Sequence, residues 1–305
     1  MGLEKTTFSE TMPIDNTLEE RLDLRRRIVN EHPDMVIASE PRSDTAVKEF
    51  YVWMVTKYLP QRYPSIYRCK DDTLLGPAST KLPLNPPNNV KTVLHLIAEN
   101  IDVEIFFLQR QGDVYVARAL IDCYPFSFNP SLKLGKSLAE IHGPVPGYKD
   151  KLEKSINRYF ASLPKGQIVK RHNWNISLDR DLFAPRENPL TILPLWLMGW
   201  IKTIFEWLGI GVLKMKSTDL DPEQVNARCE RQTLHRLMEN ENTLVFTFKT
   251  YQYTLRQIRD EGGGPALAEA IRGIKNGSVP ASDWYKASVY YGQAIVEYLH
   301  SGGSQ

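Results

Sequence analysis

The sequence predicts an α+β fold, an antiparallel sheet with helices packed against it. Three observations carry this. First, Val103–Leu108 and Val114–Ile121 are apolar, β-rich runs joined by Arg110-Gln111-Gly112-Asp113, with a glycine where a hairpin turn needs one. Second, two more strand-like runs, Ile168–Leu178 and Leu244–Tyr251, lie later in the chain. Third, residues at helical spacing separate these runs. Strands paired in hairpins and separated by helices fit a sheet with helices against it.

The elements follow in order. Thr17–Asn30 reads as an amphipathic helix with Leu18, Leu22 and Ile28 on one side and Arg25, Arg26 and Arg27 as a solvated face. Thr45–Leu59 places Val47, Phe50, Tyr51, Met54, Val55 and Tyr58 at helical spacing, and Pro60 and Pro64 are expected to end it. Asp71–Asn89, rich in Pro, Asn and Ser, reads as a loop. Val90–Asn100 and Tyr148–Ala161 read as helices, the second ending near Pro164-Lys165-Gly166. Glu261–Pro265 is a glycine loop before a helical stretch, Ala266–Lys275. It lacks GxGxxG after a strand, so no dinucleotide site is expected. Gly302–Gln305 is expected to be disordered.

Composition sets bounds. The 305 residues, 42% hydrophobic, suffice for a substantial core. With 38 basic and 36 acidic residues, a net charge of +2 gives no case for nucleic-acid binding. Cys69, Cys123 and Cys229 form no CxxC pair, which argues against a zinc ribbon or an iron–sulfur cluster. The sparse, odd count points to a reducing, cytoplasmic setting. The opening Met1–Thr6 is polar, with no secretory signal, and its fit to the short myristoylation pattern reads as chance. Leu190–Leu213 is strongly apolar, but Lys202 and Glu206 sit in its middle and Pro194, Gly199, Gly209 and Gly211 interrupt it. A charged pair is costly at a bilayer centre. The stretch is therefore expected to lie at a membrane or partner surface, or to be a buried helical hairpin, rather than to span. The whole chain, 1–305, is read as one domain carrying this insert at about 190–216.

Candidate chemistry centres on Ile141-His142-Gly143-Pro144-Val145-Pro146-Gly147. Proline fixes φ and glycine permits turns, so the imidazole is held stiffly, as a metal or haem iron requires of its ligand. A tight turn with an incidental histidine is the alternative. Of the six histidines none forms HExxH, and no GxSxG occurs, so neither a zinc hydrolase nor a serine hydrolase is indicated. A second segment, Arg228-Cys229-Glu230-Arg231-Gln232-Thr233-Leu234-His235-Arg236, sets dense charge before an apolar run. Such charge pairs internally or holds an anion. A third, Lys170-Arg171-His172-Asn173-Trp174, puts an arginine near an aromatic ring.

Lys133-Leu134-Gly135-Lys136-Ser137-Leu138, the His142 loop, Arg171-His172-Asn173-Trp174, Glu230-Arg231-Gln232-Thr233-Leu234 and Phe246-Thr247-Phe248-Lys249-Thr250-Tyr251 occur in that order. Together they resemble the haem-dependent oxidative N-demethylase alpha-subunit-like family, whose fungal members are called the HRQ family. The likeness runs from about Ile14 to Tyr298. It implies a PAS-like haem-holding core and a haem b whose iron is held by His142, with His172 the rival ligand. It implies propionate contacts from Arg171 and Arg231, though each has the alternative of an internal salt bridge to a neighbour such as Glu230. Trp174, Phe246 and Phe248 are candidate walls, with a core role as the alternative; Glu230 is the candidate carboxylate for an alkylammonium substrate, and Tyr251 the candidate donor to iron-bound oxygen. The implied reaction is oxidative N-demethylation of a small methylated amine by dioxygen, releasing formaldehyde, with a flavin or iron–sulfur reductase as electron donor. The alternatives are a haem-based sensor without turnover and a haem-free module for a membrane surface or partner. The sequence departs from the family in having Lys249 where Arg is common, Thr254 where Pro is common, and Met238 after Arg236-Leu237 where Pro is usual.

Overall fold

The predicted hairpin forms the fifth and sixth of the sheet's seven strands. Glu104–Gln111 (β6) and Val114–Ile121 (β7) pair antiparallel, and Gly112 turns the chain at φ 61°. That left-handed value is open to glycine at no steric cost. The computed structural model of the chain describes residues 2–143, 145, 147–178, 180–185, 221–275, 286 and 288–301. Pro144 and Pro146, the apolar insert at 190–216 and the terminal Gly302–Gln305 lie outside the described residues, and so do the expectations made for them. Among the described residues no helix is long and apolar enough to cross a membrane.

The architecture is α+β, with a seven-stranded antiparallel sheet among the described residues and helices flanking it. Strand order is β1-β8-β9-β10-β6-β7-β2, where β1 is Glu4–Thr6, β2 Ile37–Ser39, β8 Ile168–Ser177, β9 Asn226–Arg236 and β10 Thr243–Thr254. The charged segment thought to precede a strand is itself a strand. β9 pairs along its length with β8 and β10, so its arginines project from the sheet rather than from a loop. The Pro-rich stretch read as a loop also holds structure. Arg68–Lys70 (β3), Thr73–Leu75 (β4) and Lys81–Pro83 (β5) form a small sheet that buries Leu74 and Leu82. The carboxylate of Glu49 accepts hydrogen bonds from the backbone N–H groups of Met238, Glu239 and Asn240, which fixes the β9–β10 turn.

One face of the sheet carries Ile105, Phe107, Ala119, Ile121 and Val245. Against it pack Leu18–Glu31 (α1), Asp44–Trp53 (α3) and Val90–Asn100 (α5); the short helix Pro33–Val36 is α2. The second predicted helix does not stop at Pro60. It passes through a π-helical turn, Met54–Tyr58, into Leu59–Arg62 (α4), a wider turn that tolerates the missing N–H of proline. The arginine run of α1 is not a uniform solvated face either. Arg25 is fully buried and pairs with Glu104 at 2.5 Å, while Arg27 is exposed.

The opposite face carries Phe106, Leu108, Leu120, Leu234, Leu244 and Phe248. Leu138–Ile141 (α6) and Glu153–Ser162 (α7) cover it, with Leu138 and Tyr148 buried among these side chains. A third cluster joins Ile176 and Ala227 to Leu255–Asp260 (α8), Gly264–Lys275 (α9) and Ser288–His300 (α10). Thr254, at the position where the family favours proline, caps α8 in a reciprocal capping box with Gln257.

Candidate functional site

The histidine loop is built from a short helix with a defined start. Ser137 and Glu140 form a capping box that opens α6, and His142 follows its last residue. The His142 N–H donates to Leu138 O at 2.9 Å, and Val145 N–H returns to His142 O at 2.8 Å. Gly147 takes φ 70° to release the chain into Tyr148. The imidazole Nδ1 lies 2.8 Å from Leu138 O. A carbonyl oxygen only accepts, so Nδ1 carries the proton and Nε2 keeps its lone pair. The ring stacks on Tyr148, centroids 4.6 Å apart and planes 6° apart. Burial pulls the imidazole below its usual pKa. The Leu138 carbonyl opposes this, and the charges of Arg171 and Lys133 add to it.

A cavity of about 500 Å³ opens beside this loop, lined by Ala139, His142, Val145, Tyr148, Lys149 and Glu153 among others. That volume suits a small-molecule or cofactor site. Tyr148 is buried and its hydroxyl has no hydrogen-bond partner. Its pKa is pushed up to about 12 by burial and by Glu153, against the pull of Arg171.

Strand alternation decides which other candidates join the histidine. Arg171 and Asn173 on β8 stand opposite Gln232 and Glu230 on β9, with Leu234 and Val169 continuing the same face. Arg171 Nε donates to Gln232 Oε1, and Glu230 Oε2 accepts from Gln232 at 2.7 Å and from Asn173 at 3.3 Å. Burial lowers the pKa of Arg171, and Glu230 is the charge that most opposes the shift. The same holds for Arg228 and for Lys286, whose ammonium donates to Trp174 O at 2.7 Å and sits 4.5 Å from that ring centroid. Glu230 is thus the carboxylate shared by three part-desolvated cations.

Trp174, Arg231 and Tyr251 occupy the other face, with His172. Arg231 pairs with Glu10 at 2.6 Å rather than with Glu230, and also donates to Glu10 O. Tyr251 stacks on Tyr253 and lies 5.5 Å from Lys249 Nζ. Its pKa rises to about 12 through burial and Asp15, against Arg231. Trp174 packs against the cluster under α8–α10, and Phe246 and Phe248 stand with the His142 face. His172 is exposed. The structure therefore brings together His142, Arg171 and Glu230, and holds Trp174, Arg231 and Tyr251 apart from them. Tyr148 and Gln232 are site neighbours that sequence reasoning missed, and Lys286 on the Trp174 ring feels the charge of Glu230. Tyr148, six residues after His142, was legible only as the start of a helix.

A family model described as haem-dependent oxidative N-demethylase, alpha subunit-like, matches residues 2–296. The chain belongs to that family. No protein of curated function matches it. Haem, the group that the family's description names, fits the residues present. A neutral imidazole with Nδ1 anchored to a carbonyl is the form in which histidine ligates iron. The cavity supplies space beside His142, and Arg171, close enough to act on the imidazole's charge, is a cation of the kind a haem carboxylate pairs with. Among the described residues no cluster of three or more His, Cys, Asp or Glu is arranged to hold a bare metal ion. Haem iron needs no such cluster from the protein.

Proposed function

We propose that the chain is a haem-dependent oxidoreductase that removes an N-methyl group from a small methylated amine, with His142 holding the iron of haem b. One observation carries the reading: a half-buried, stacked imidazole whose Nδ1 is committed to Leu138 O, which leaves Nε2 as the ligating atom, on a residue that lines a cofactor-sized cavity. The antiparallel sheet serves as a PAS-like cradle. Arg171 faces a haem carboxylate, and Glu230 faces the alkylammonium group of the substrate, whose charge it matches. Trp174, Arg231 and Tyr251 act from the far side of the sheet, so their removal is expected to leave the iron ligand in place.

Haem supplies the activation of dioxygen and the oxidation of the methyl carbon. In balance, the amine, dioxygen, two electrons and two protons give the demethylated amine, formaldehyde and water. The electrons come from a separate flavin or iron–sulfur reductase, since the sequence has no CxxC pair and no GxGxxG loop after a strand. The description "alpha subunit-like" supports a partner chain.

The test is spectral first. Protein expressed with haem is expected to show a Soret band that His142→Ala loses and His172→Ala keeps. The reverse pattern would overturn the ligand assignment. Small methylamines, oxygen and NADPH with an added reductase are then expected to release formaldehyde, and without the reductase to release little. A haem band without formaldehyde from any donor would instead favour a sensor.

A further inference from the structure

The chain returns from His142 to Tyr148 through two successive turns. Val145 N–H donates to His142 O at 2.8 Å, and Tyr148 N–H donates to Val145 O at 3.2 Å. Gly147, at φ 70°, then opens the π-helical turn Tyr148–Leu152. Single π-helical turns recur at functional sites. Tyr148 is 3% exposed and belongs to the apolar cluster that includes Leu120, Leu138 and Leu234. The His142 imidazole lies parallel to its ring, centroids 4.6 Å apart and planes 6° apart. That spacing fits an offset stack, an arrangement that aromatic rings favour. The Tyr148 hydroxyl is buried without a hydrogen-bond partner, so what Tyr148 offers the histidine is its ring.

We propose that Tyr148 is the positioning residue of the iron ligand, its ring setting the plane in which His142 presents Nε2. The role rests on the reading of His142 as the haem ligand. A histidine side chain turns about two bonds, so two contacts are needed to fix its ring. The hydrogen bond from Nδ1 to Leu138 O, 2.8 Å long, supplies one. It places Nδ1 and its proton, but the ring can still rock about the line between Nδ1 and the oxygen. The stack supplies the other, because rocking lifts the imidazole off the Tyr148 face. With both contacts made, the direction of the Nε2 lone pair is set by the protein alone. Partners that orient a metal's ligand in this way are worth about 10–100-fold in affinity.

Two measurements on the full chain test the role, and neither needs turnover. The first is NMR of the haem-free protein with isotope-labelled histidine. The ring protons of His142, assigned by their loss in His142→Ala, are expected upfield of those of the exposed His172 and His300, since they lie over the Tyr148 ring. Tyr148→Phe should keep that shift and Tyr148→Leu should lose it. The second is made on the haem-loaded protein. Tyr148→Leu should release haem to apomyoglobin about tenfold or more faster than wild type and should alter the g values of the ferric EPR spectrum. Tyr148→Phe should restore both. A wild-type His142 without the upfield shift would overturn the proposal, and so would Tyr148→Leu with the release rate and g values of wild type. Should Tyr148→Leu not fold by circular dichroism, the wild-type shift and its retention in Tyr148→Phe decide. A Soret band that survives His142→Ala, with the ring shift intact, would instead sink the ligand reading, and the positioning role with it.

Discussion

At the scale of single residues, the surroundings of each ring nitrogen separate the histidines. His142 gives Nδ1 to a carbonyl and lines a cavity. His235 is the opposite case. It stands near Phe50 and Trp53, ring centroids 6.2 and 5.5 Å away, and its Nδ1 is buried without a partner. Burial lowers its pKa from 6.5 to about 4, and Glu49 opposes the shift only in part. Between those two values the unfolded chain binds a proton that the native chain does not. Stability is therefore full above about pH 6.5 and falls as pH drops toward 4, by up to about 3 kcal/mol from this residue. Urea unfolding of wild type and His235→Leu at several pH values across this window checks it. The variant should lose distinctly less stability on acidification, and equal slopes would refute the assignment. The sequence singled out the His142 loop, since proline and glycine act through the backbone wherever they stand. It did not show that Tyr148 stacks on the imidazole or that Arg231 turns to Glu10. Those facts depend on strand parity and on a segment more than two hundred residues away.

At the scale of elements, α1 is anchored to the sheet by charge as well as by apolar side chains. Arg25 donates to Glu104, Ala98 O and Val103 O, and Glu104 also accepts from Cys123 N–H. Removing one partner of a fully buried pair leaves the other charged and dry, at a cost of about 3–5 kcal/mol. Arg25→Ala should therefore lower the unfolding free energy by that amount. Arg27→Ala, two residues along and exposed, should change it by less than about 0.5 kcal/mol. Similar urea midpoints for the two variants would show that α1 is held by packing alone. The run Arg25-Arg26-Arg27 looked like a solvated face because a sequence window does not reveal an acid placed by a distant strand. β9 was hidden for a related reason. Its polar residues find partners on both faces, Glu230 and Gln232 on one, Arg231 and Thr233 on the other, so it lacks the apolar alternation that marks a half-buried strand. By contrast, β6, β7, α1 and α5 announced themselves through apolar period and a glycine turn. The three-residue strands β3–β5 are too short to leave any period.

At the scale of the whole molecule, an N-terminal strap ties the helical layer to the sheet. Glu10 pairs with Arg231, and Thr11 O accepts from Thr233. Met12 N–H donates to the Tyr58 hydroxyl, and Ile14 N–H to that of Tyr63. Lys249, 1% exposed, is held at 2.8 Å by Asp15 and at 2.9 Å by Asp102, which also receives Arg21. Burial raises the Asp15 carboxyl, but its bonds to Lys249 and Thr17 outweigh this and bring its pKa down to about 2. Deleting residues 2–16 would strip Lys249 of one carboxylate, Arg231 of its only acidic partner among the described residues, and Tyr58 of its backbone donor. Lys249 keeps Asp102, but each buried polar group left short of a partner costs about 1–3 kcal/mol. Their sum rivals the 5–15 kcal/mol by which a domain is ordinarily stable. The truncated chain is expected to lose its cooperative urea transition or to unfold at a much lower midpoint. Lys249→Met in the truncated chain should recover part of the loss, because an apolar side chain needs no partner there. A truncated chain with the midpoint of the full protein would mean that the strap lies on the sheet without holding it.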